Sequence, residues 1–170
     1  MRYPDPIAHA QQPASAAPRR INRRSMLLGG IGAALVPTLA LAQQGSDPAS
    51  QEPSAMKIRM TFSGFEMIGT LYDNASARDF FSLLPLDLTI EDYGGNEKIA
   101  YLPRKLSIEG HGPFANEQPG DIGYWSPWGN LALYHGSYRY DPGLVRLGRW
   151  DSDFTPLLTR GVFPLRIEAV

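Results

Sequence analysis

Apolar and polar positions alternate two by two along most of the chain from residue 56 onward. Met56, Ile58, Met60 and Phe62 share one face of a strand, with Lys57, Arg59 and Thr61 on the other. Ser63-Gly64 turns the chain into a second strand, Phe65–Tyr72, and the tight spacing predicts a hairpin. Asp73-Asn74 offers a helix cap. Ala77, Phe80, Phe81 and Leu84 then recur at helical spacing, so the one clear helix is expected over Ala75–Leu84, with Pro85 ending it. The two phenylalanines are expected to plug a core.

Alternation resumes at Leu86–Tyr93, with Leu86, Leu88 and Ile90 on one face, turns at Gly94-Gly95, and returns over Asn96–Leu102 before Pro103. Leu106–Ile108 is a candidate short strand, and the Gly- and Pro-rich Glu109–Pro119 reads as a loop. Ile122–Trp125 and Leu131–Tyr134 are two apolar runs flanking a break at Pro127 and Gly129, which reads as strand, wide turn, strand. Leu144–Trp150 is a further strand, Asp151–Thr159 has room for a helical turn, and Val162–Val170 closes the chain. Pro164 within that last strand suits an edge or a bulge. Eight or nine short strands, one main helix and no βαβ rhythm give a mainly β domain, either a closed antiparallel barrel or a sandwich.

The first 55 residues follow another pattern. Residues 1–18 are rich in Pro, Ala and Gln. A basic cluster, Arg19-Arg20-Ile21-Asn22-Arg23-Arg24, precedes the apolar run Met26–Ala42, and Ala40-Leu41-Ala42 resembles a cleavage site. That is the layout of a secretory signal over residues 1–42. Asn22-Arg23-Arg24-Ser25-Met26-Leu27 resembles the twin-arginine export motif, and the mildly apolar run with Gly29, Gly30, Gly32 and Pro37 suits that route. A standard export signal is the alternative. As an uncleaved anchor the run would be at the short limit of about 17–25 residues for a span, and it is weakened by its proline and glycines. Residues 43–55 are polar and read as a disordered linker, leaving 56–170 as one domain large enough for its own core. The expected address is periplasmic or secreted, with no stable membrane insertion once the signal is removed.

Removing the leader shifts the charge. The whole chain carries 16 Lys and Arg against 17 Asp and Glu, but residues 43–170 keep 11 against 16. No basic stripe remains, which argues against nucleic acid as a partner. There is no cysteine, so the domain must be stable through its core, and thiolate catalysis and Cys-ligated metals are excluded.

Several segments, in the same order, are similar to cyclophilins. Gly69–Phe80 resembles their second strand and first helix, and Gly143–Arg149 resembles a late strand ending in Gly and a basic residue. The closer resemblance is to the bacterial and archaeal cyclophilin-like proteins. It is carried by Leu84-Pro85-Leu86, Glu97-Lys98, Leu102-Pro103, the block Gly120-Asp121-Ile122-Gly123-Tyr124-Trp125-Ser126-Pro127-Trp128-Gly129, and Leu147-Gly148-Arg149. It covers about Met56 to Val170 and implies a closed antiparallel barrel of about eight strands capped by one or two helices. Cyclophilins are peptidyl-prolyl isomerases whose activity rests on a strand with Phe-His-Arg and a later Gln-Gly-Gly-Asp. The matching Leu88–Leu102 has no Phe, His or Arg but has Glu91, Asp92 and Glu97, and no Gln-Gly-Gly-Asp follows. Turning a prolyl amide means crossing a barrier of roughly 18–20 kcal/mol. A fixed cationic donor lowers it directly and an acidic group would not.

Weak or no isomerase activity is therefore expected, and no catalytic residue is assigned. A divergent isomerase of the cell envelope is the alternative. His111 and His135, 24 residues apart with no third ligand in pattern, read as loop and strand-end residues. No nucleophile elbow marks a Ser–His–Asp triad, and no metal or cofactor is expected. Glu91, Asp92 and Glu97 read as a solvated hairpin tip and Lys98 as a surface partner.

The aromatic residues are better candidates. Tyr93, Tyr101, Trp125, Trp128 and Tyr134 are the expected ligand-binding set, walls of a groove for a small molecule or a peptide segment. Period two puts Tyr124 and Trp125 on opposite faces. Pro127 and Gly129 hold Trp128 in a turn, where full burial is harder, so Trp128 is the ring expected to be exposed.

Overall fold

The structure is a computed structural model describing residues 51–109 and 111–170. The expected leader, and the expected linker up to residue 50, lie outside the described residues. Eight strands, β1 (Pro53–Phe62), β2 (Phe65–Tyr72), β3 (Leu86–Tyr93), β4 (Glu97–Tyr101), β5 (Asp121–Trp125), β6 (Asn130–Tyr134), β7 (Leu144–Trp150) and β8 (Phe163–Ala169), close into one antiparallel barrel in the order β1-β2-β7-β5-β6-β4-β3-β8. Of the two architectures that alternation alone allowed, the barrel is the one formed.

The first hairpin is set by its turn. Ser63 and Gly64 have φ of 49° and 81°, the left-handed pair that matches the twist of a two-residue connection, and Phe62 faces Phe65 in register. β1 begins at Pro53, earlier than the alternation does, because Ser54 donates to the Leu71 carbonyl across the pair at 2.8 Å. Asn74 caps α1 (Ala75–Phe81) by accepting from the Ala77 N–H at 2.9 Å. The helix stops three residues short of the expected Leu84. Leu83 and Leu84 donate instead to Phe80 and Phe81, three residues back, because a residue before proline avoids the helical region.

Alternation sorts side chains into barrel interior and exterior. Ile58, Met60, Met67, Leu71, Phe80, Ile90, Ile122, Tyr124, Leu133, Leu147 and Ile167 are all essentially inaccessible and form one core. Tyr124 finds a partner for its buried hydroxyl in the Leu106 N–H, 3.0 Å away. That contact holds the 102–109 segment as an irregular strap, so Leu106–Ile108 is not a strand. The β2–β7 seam is tight: a Cβ on Gly148 would lie 2.3 Å from the Thr70 carbonyl oxygen. Pro164 is opposite Thr89 of β3, while on the β1 side pairing ends at Leu165. It therefore lies past the end of β1, where a strand is locally an edge. A single-turn 3-10 helix at Thr155–Leu158 occupies the segment expected to hold a helical turn.

Candidate functional site

The outer face of β4, β5 and β6 carries the site. In register, Glu97 faces Tyr134, Ile99 faces Ala132, and Trp125 and Tyr101 both face Asn130. Their neighbours Ala100, Leu131, Leu133, Ile122 and Tyr124 belong to the barrel core, so this set points outward. Three connections build walls above it. The end of β3 brings Tyr93. The β5–β6 turn brings Trp128, whose ring meets that of Tyr93 edge-on at 5.5 Å and 88°. The β6–β7 connection brings Asp141. Together Tyr93, Glu97, Ile99, Trp125, Trp128, Asn130, Tyr134 and Asp141 enclose a cavity of about 270 Å³.

Local packing fixes these rings. Trp125 lies on Gly143, where a Cβ would come within 2.8 Å of the indole. Tyr134 stacks on Tyr138 with centroids 3.6 Å apart and planes 7° from parallel. Tyr134 and Ala132, with Leu144, form a second small core outside the barrel, packed against Phe114, Trp125 and Tyr138. Trp128 is 44% exposed, as its turn position predicts. Tyr101 is similarly open but is not part of the cavity lining. The structure thus brings four of the five expected aromatics together and leaves Tyr101 outside.

The polar residues of the cavity were not singled out as ligand-binding from the sequence. Glu97 is desolvated by its surroundings, which push its carboxyl up to about 7 against an opposing hydrogen bond from Tyr134. Burial, then the charge of Glu97, pushes the Tyr134 phenol upward in turn. Asn130 is buried, and its side-chain N–H donates to the Leu131 carbonyl, while its own carbonyl oxygen has no hydrogen-bond partner. The solvated hairpin tip expected around Gly94-Gly95 therefore does not extend to Glu97. Lys98 is fully buried with its Nζ 2.8 Å from Asp92 and 5.6 Å from the centroid of Phe163. The period-two pattern is the reason: with Glu97 outward, Lys98 must point inward.

A separate buried cluster lies at the start of β5. Asp121 is inaccessible; its Oδ2 accepts from Tyr138 Oη (2.6 Å) and the Gln118 N–H (3.1 Å) and lies 3.1 Å from the Arg146 guanidinium. Its Oδ1 has only Arg149 near it, at 3.4 Å and without hydrogen-bond geometry. Arg146 also donates to Gln51 and covers the ring of Phe114 at 4.3 Å. The two expected histidines are apart from the cavity lining. Both ring nitrogens of His111 approach carbonyl oxygens, those of Ile108 (2.8 Å) and Pro142 (3.1 Å). His135 follows β6 with Nε2 buried and unpartnered, and burial pushes its imidazole pKa down. Among the described residues no three His, Asp or Glu side chains are grouped to hold a metal, and no helix is long and apolar enough to cross a membrane.

Comparison with known proteins agrees with this architecture. No curated protein matches the chain. The solution structure of a hypothetical protein from Archaeoglobus fulgidus is similar at a TM-score of 0.53 and 16% identity, covering 74% of this chain and 99% of that one. At that identity the likeness concerns the fold. The profile of the cyclophilin-like family matches residues 60–168, a span that runs from the last residues of β1 to all but the last residue of β8. The barrel and the profile thus coincide over most of the chain, and the protein belongs to the cyclophilin-like family.

Proposed function

We propose that this protein is an exported binding module that takes a small ligand, or one side chain of a peptide, into the cavity between Tyr93, Trp125, Trp128 and Tyr134. One observation carries the reading. Aromatic rings from four different segments converge on an open, partly apolar cavity of about 270 Å³, just below the usual range of small-molecule sites. Tyr93 and Trp128, the two exposed rings of the four, contribute little to the core and can give much to a ligand, through stacking and apolar contact. Export rests on the signal-like leader, with its twin-arginine-like motif.

The reading is non-catalytic. None of the lining residues is a lysine or an arginine, so no fixed cation faces a ligand to hold a twisted prolyl amide. A protease-coupled proline-isomerisation assay on the full chain is expected to run at the uncatalysed rate. A rate well above that background would make the protein an isomerase instead.

Trp128→Ala tests the binding site directly. The substitution removes an edge-on ring pair on the rim, worth about 1 kcal/mol, and should lower the melting temperature by about 5 °C. It should abolish the fluorescence change that small amines or proline-containing peptides induce in the native chain. A much larger loss of stability would assign Trp128 to the core and count against the proposal.

A further inference from the structure

We infer that the ligand carries a positive charge, and that the cavity is a cage for an alkylated ammonium group held between the rings of Tyr93, Trp125 and Trp128 and the carboxylates of Glu97 and Asp141. This rests on the binding reading above and adds the chemical class of the ligand.

Two features point the same way. The first is the balance of charge: two carboxylates line the cavity and no basic side chain does. The nearest-numbered cation, Lys98, is turned into the barrel and paired with Asp92. The second is ring chemistry. The faces of tryptophan and tyrosine carry negative partial charge and attract cations within about 6 Å of the centroid, and cages of such rings serve for quaternary ammonium ligands. An alkylated ammonium suits them better than a bare one, since its charge is diffuse and its methyl groups lose little on leaving water.

Glu97 gives the inference a signature of its own. Burial pushes this carboxyl up to about 7. The groups facing it are Tyr134 across the β4–β6 pair, Tyr93 at the end of β3 and Asp141 from the β6–β7 connection; His135 follows Tyr134 and donates its backbone N–H to Asn96. A cation entering the cavity favours the ionised carboxylate, so binding should release a proton. Affinity should then rise as pH increases through 7.

The test compares choline with 3,3-dimethylbutan-1-ol, its neutral isostere, on the full chain by tryptophan fluorescence and calorimetry. Choline is expected to bind at least about tenfold more tightly than the isostere at pH 8. Its binding enthalpy should depend on the ionisation enthalpy of the buffer. Glu97→Gln should cost choline about tenfold at pH 8 and almost nothing at pH 5.5, where the native carboxyl is already neutral. Equal binding of choline and the isostere would overturn the cage while leaving a ligand-binding cavity. Binding of neither, with no Trp128-dependent signal from any small amine or proline-containing peptide, would overturn both.

Discussion

Asp121→Ala is expected to lower the stability of the chain by about 3–5 kcal/mol, the usual result of stripping one partner from a buried ion pair. The loss does not come chiefly from the missing attraction. Asp121 is inaccessible and Arg146 nearly so, 3.1 Å apart, and in the variant the guanidinium would stay buried with its charge uncompensated. Tyr138 Oη would lose its 2.6 Å acceptor and the Gln118 N–H would lose its own. Asp121→Asn keeps an acceptor for both donors and removes only the charge, so its loss should be smaller. Urea unfolding followed by tryptophan fluorescence, with unchanged slope, measures the two differences. Equal losses for Ala and Asn would mean that the charge dominates, and a loss below about 1 kcal/mol for Ala would show that Arg146 reaches water once its partner is gone. Because Tyr138 stacks on Tyr134, Asp121→Ala should also loosen the cavity wall and weaken ligand-induced fluorescence changes.

That cluster explains why the most distinctive block of the sequence reads so clearly and yet says little about function. Gly120-Asp121 and Leu147-Gly148-Arg149 are far apart in the chain, but Asp121 is paired with Arg149 and Ile122 with Gly148 in register. The block is distinctive largely because it closes the barrel: a buried carboxylate between two arginines, and a glycine where a Cβ would collide with the next strand. The barrel was legible because a period of two survives in β1, β2, β3 and β8, and because a two-residue turn and a capped helix punctuate the first strands. The ring positions in the site were legible for a related reason. Pro127 and Gly129 force Trp128 into a turn, and Tyr124 and Trp125 must divide between the two faces.

The polar half of the site was not legible. In β4, Ile99 and Ala100 are both apolar, because the outer face is itself covered by aromatics from the loops, so alternation gives no orientation for Glu97 and Lys98. Only closure of the barrel, which sets β4 beside β6, decides that glutamate faces the cavity and lysine the core. Asp141 reaches the cavity from a turn of no regular period. Tyr101 illustrates the opposite case: it has the same residue type on the same face, but it is the last residue of its strand and does not line the cavity.

Glu97→Gln should make the protein more stable than the native chain at pH 8, by up to about 3 kcal/mol, and should make almost no difference at pH 4. The sign follows from the direction of the shift. Burial raises the Glu97 carboxyl in the folded chain from 4.5 to about 7, so the fold holds a proton that the unfolded chain has already lost. Its contribution is complete below about pH 4.5 and is lost as pH rises through about 7, the reverse of a salt-bridged carboxylate. Glutamine keeps the shape and a carbonyl oxygen for the Tyr134 hydroxyl and has nothing to ionise. Melting temperatures of both proteins across pH 4–9, taken as a difference, cancel the other titrating groups. A difference that stays flat would mean that water enters and solvates the carboxylate. Choline at saturating concentration should narrow the difference at pH 8 by about 1.4 kcal/mol, the equivalent of its tenfold preference for the native chain over the glutamine variant. A group that destabilises the fold as it ionises, a cost that a bound cation offsets in part, is what a cage gives up in stability for its ligand.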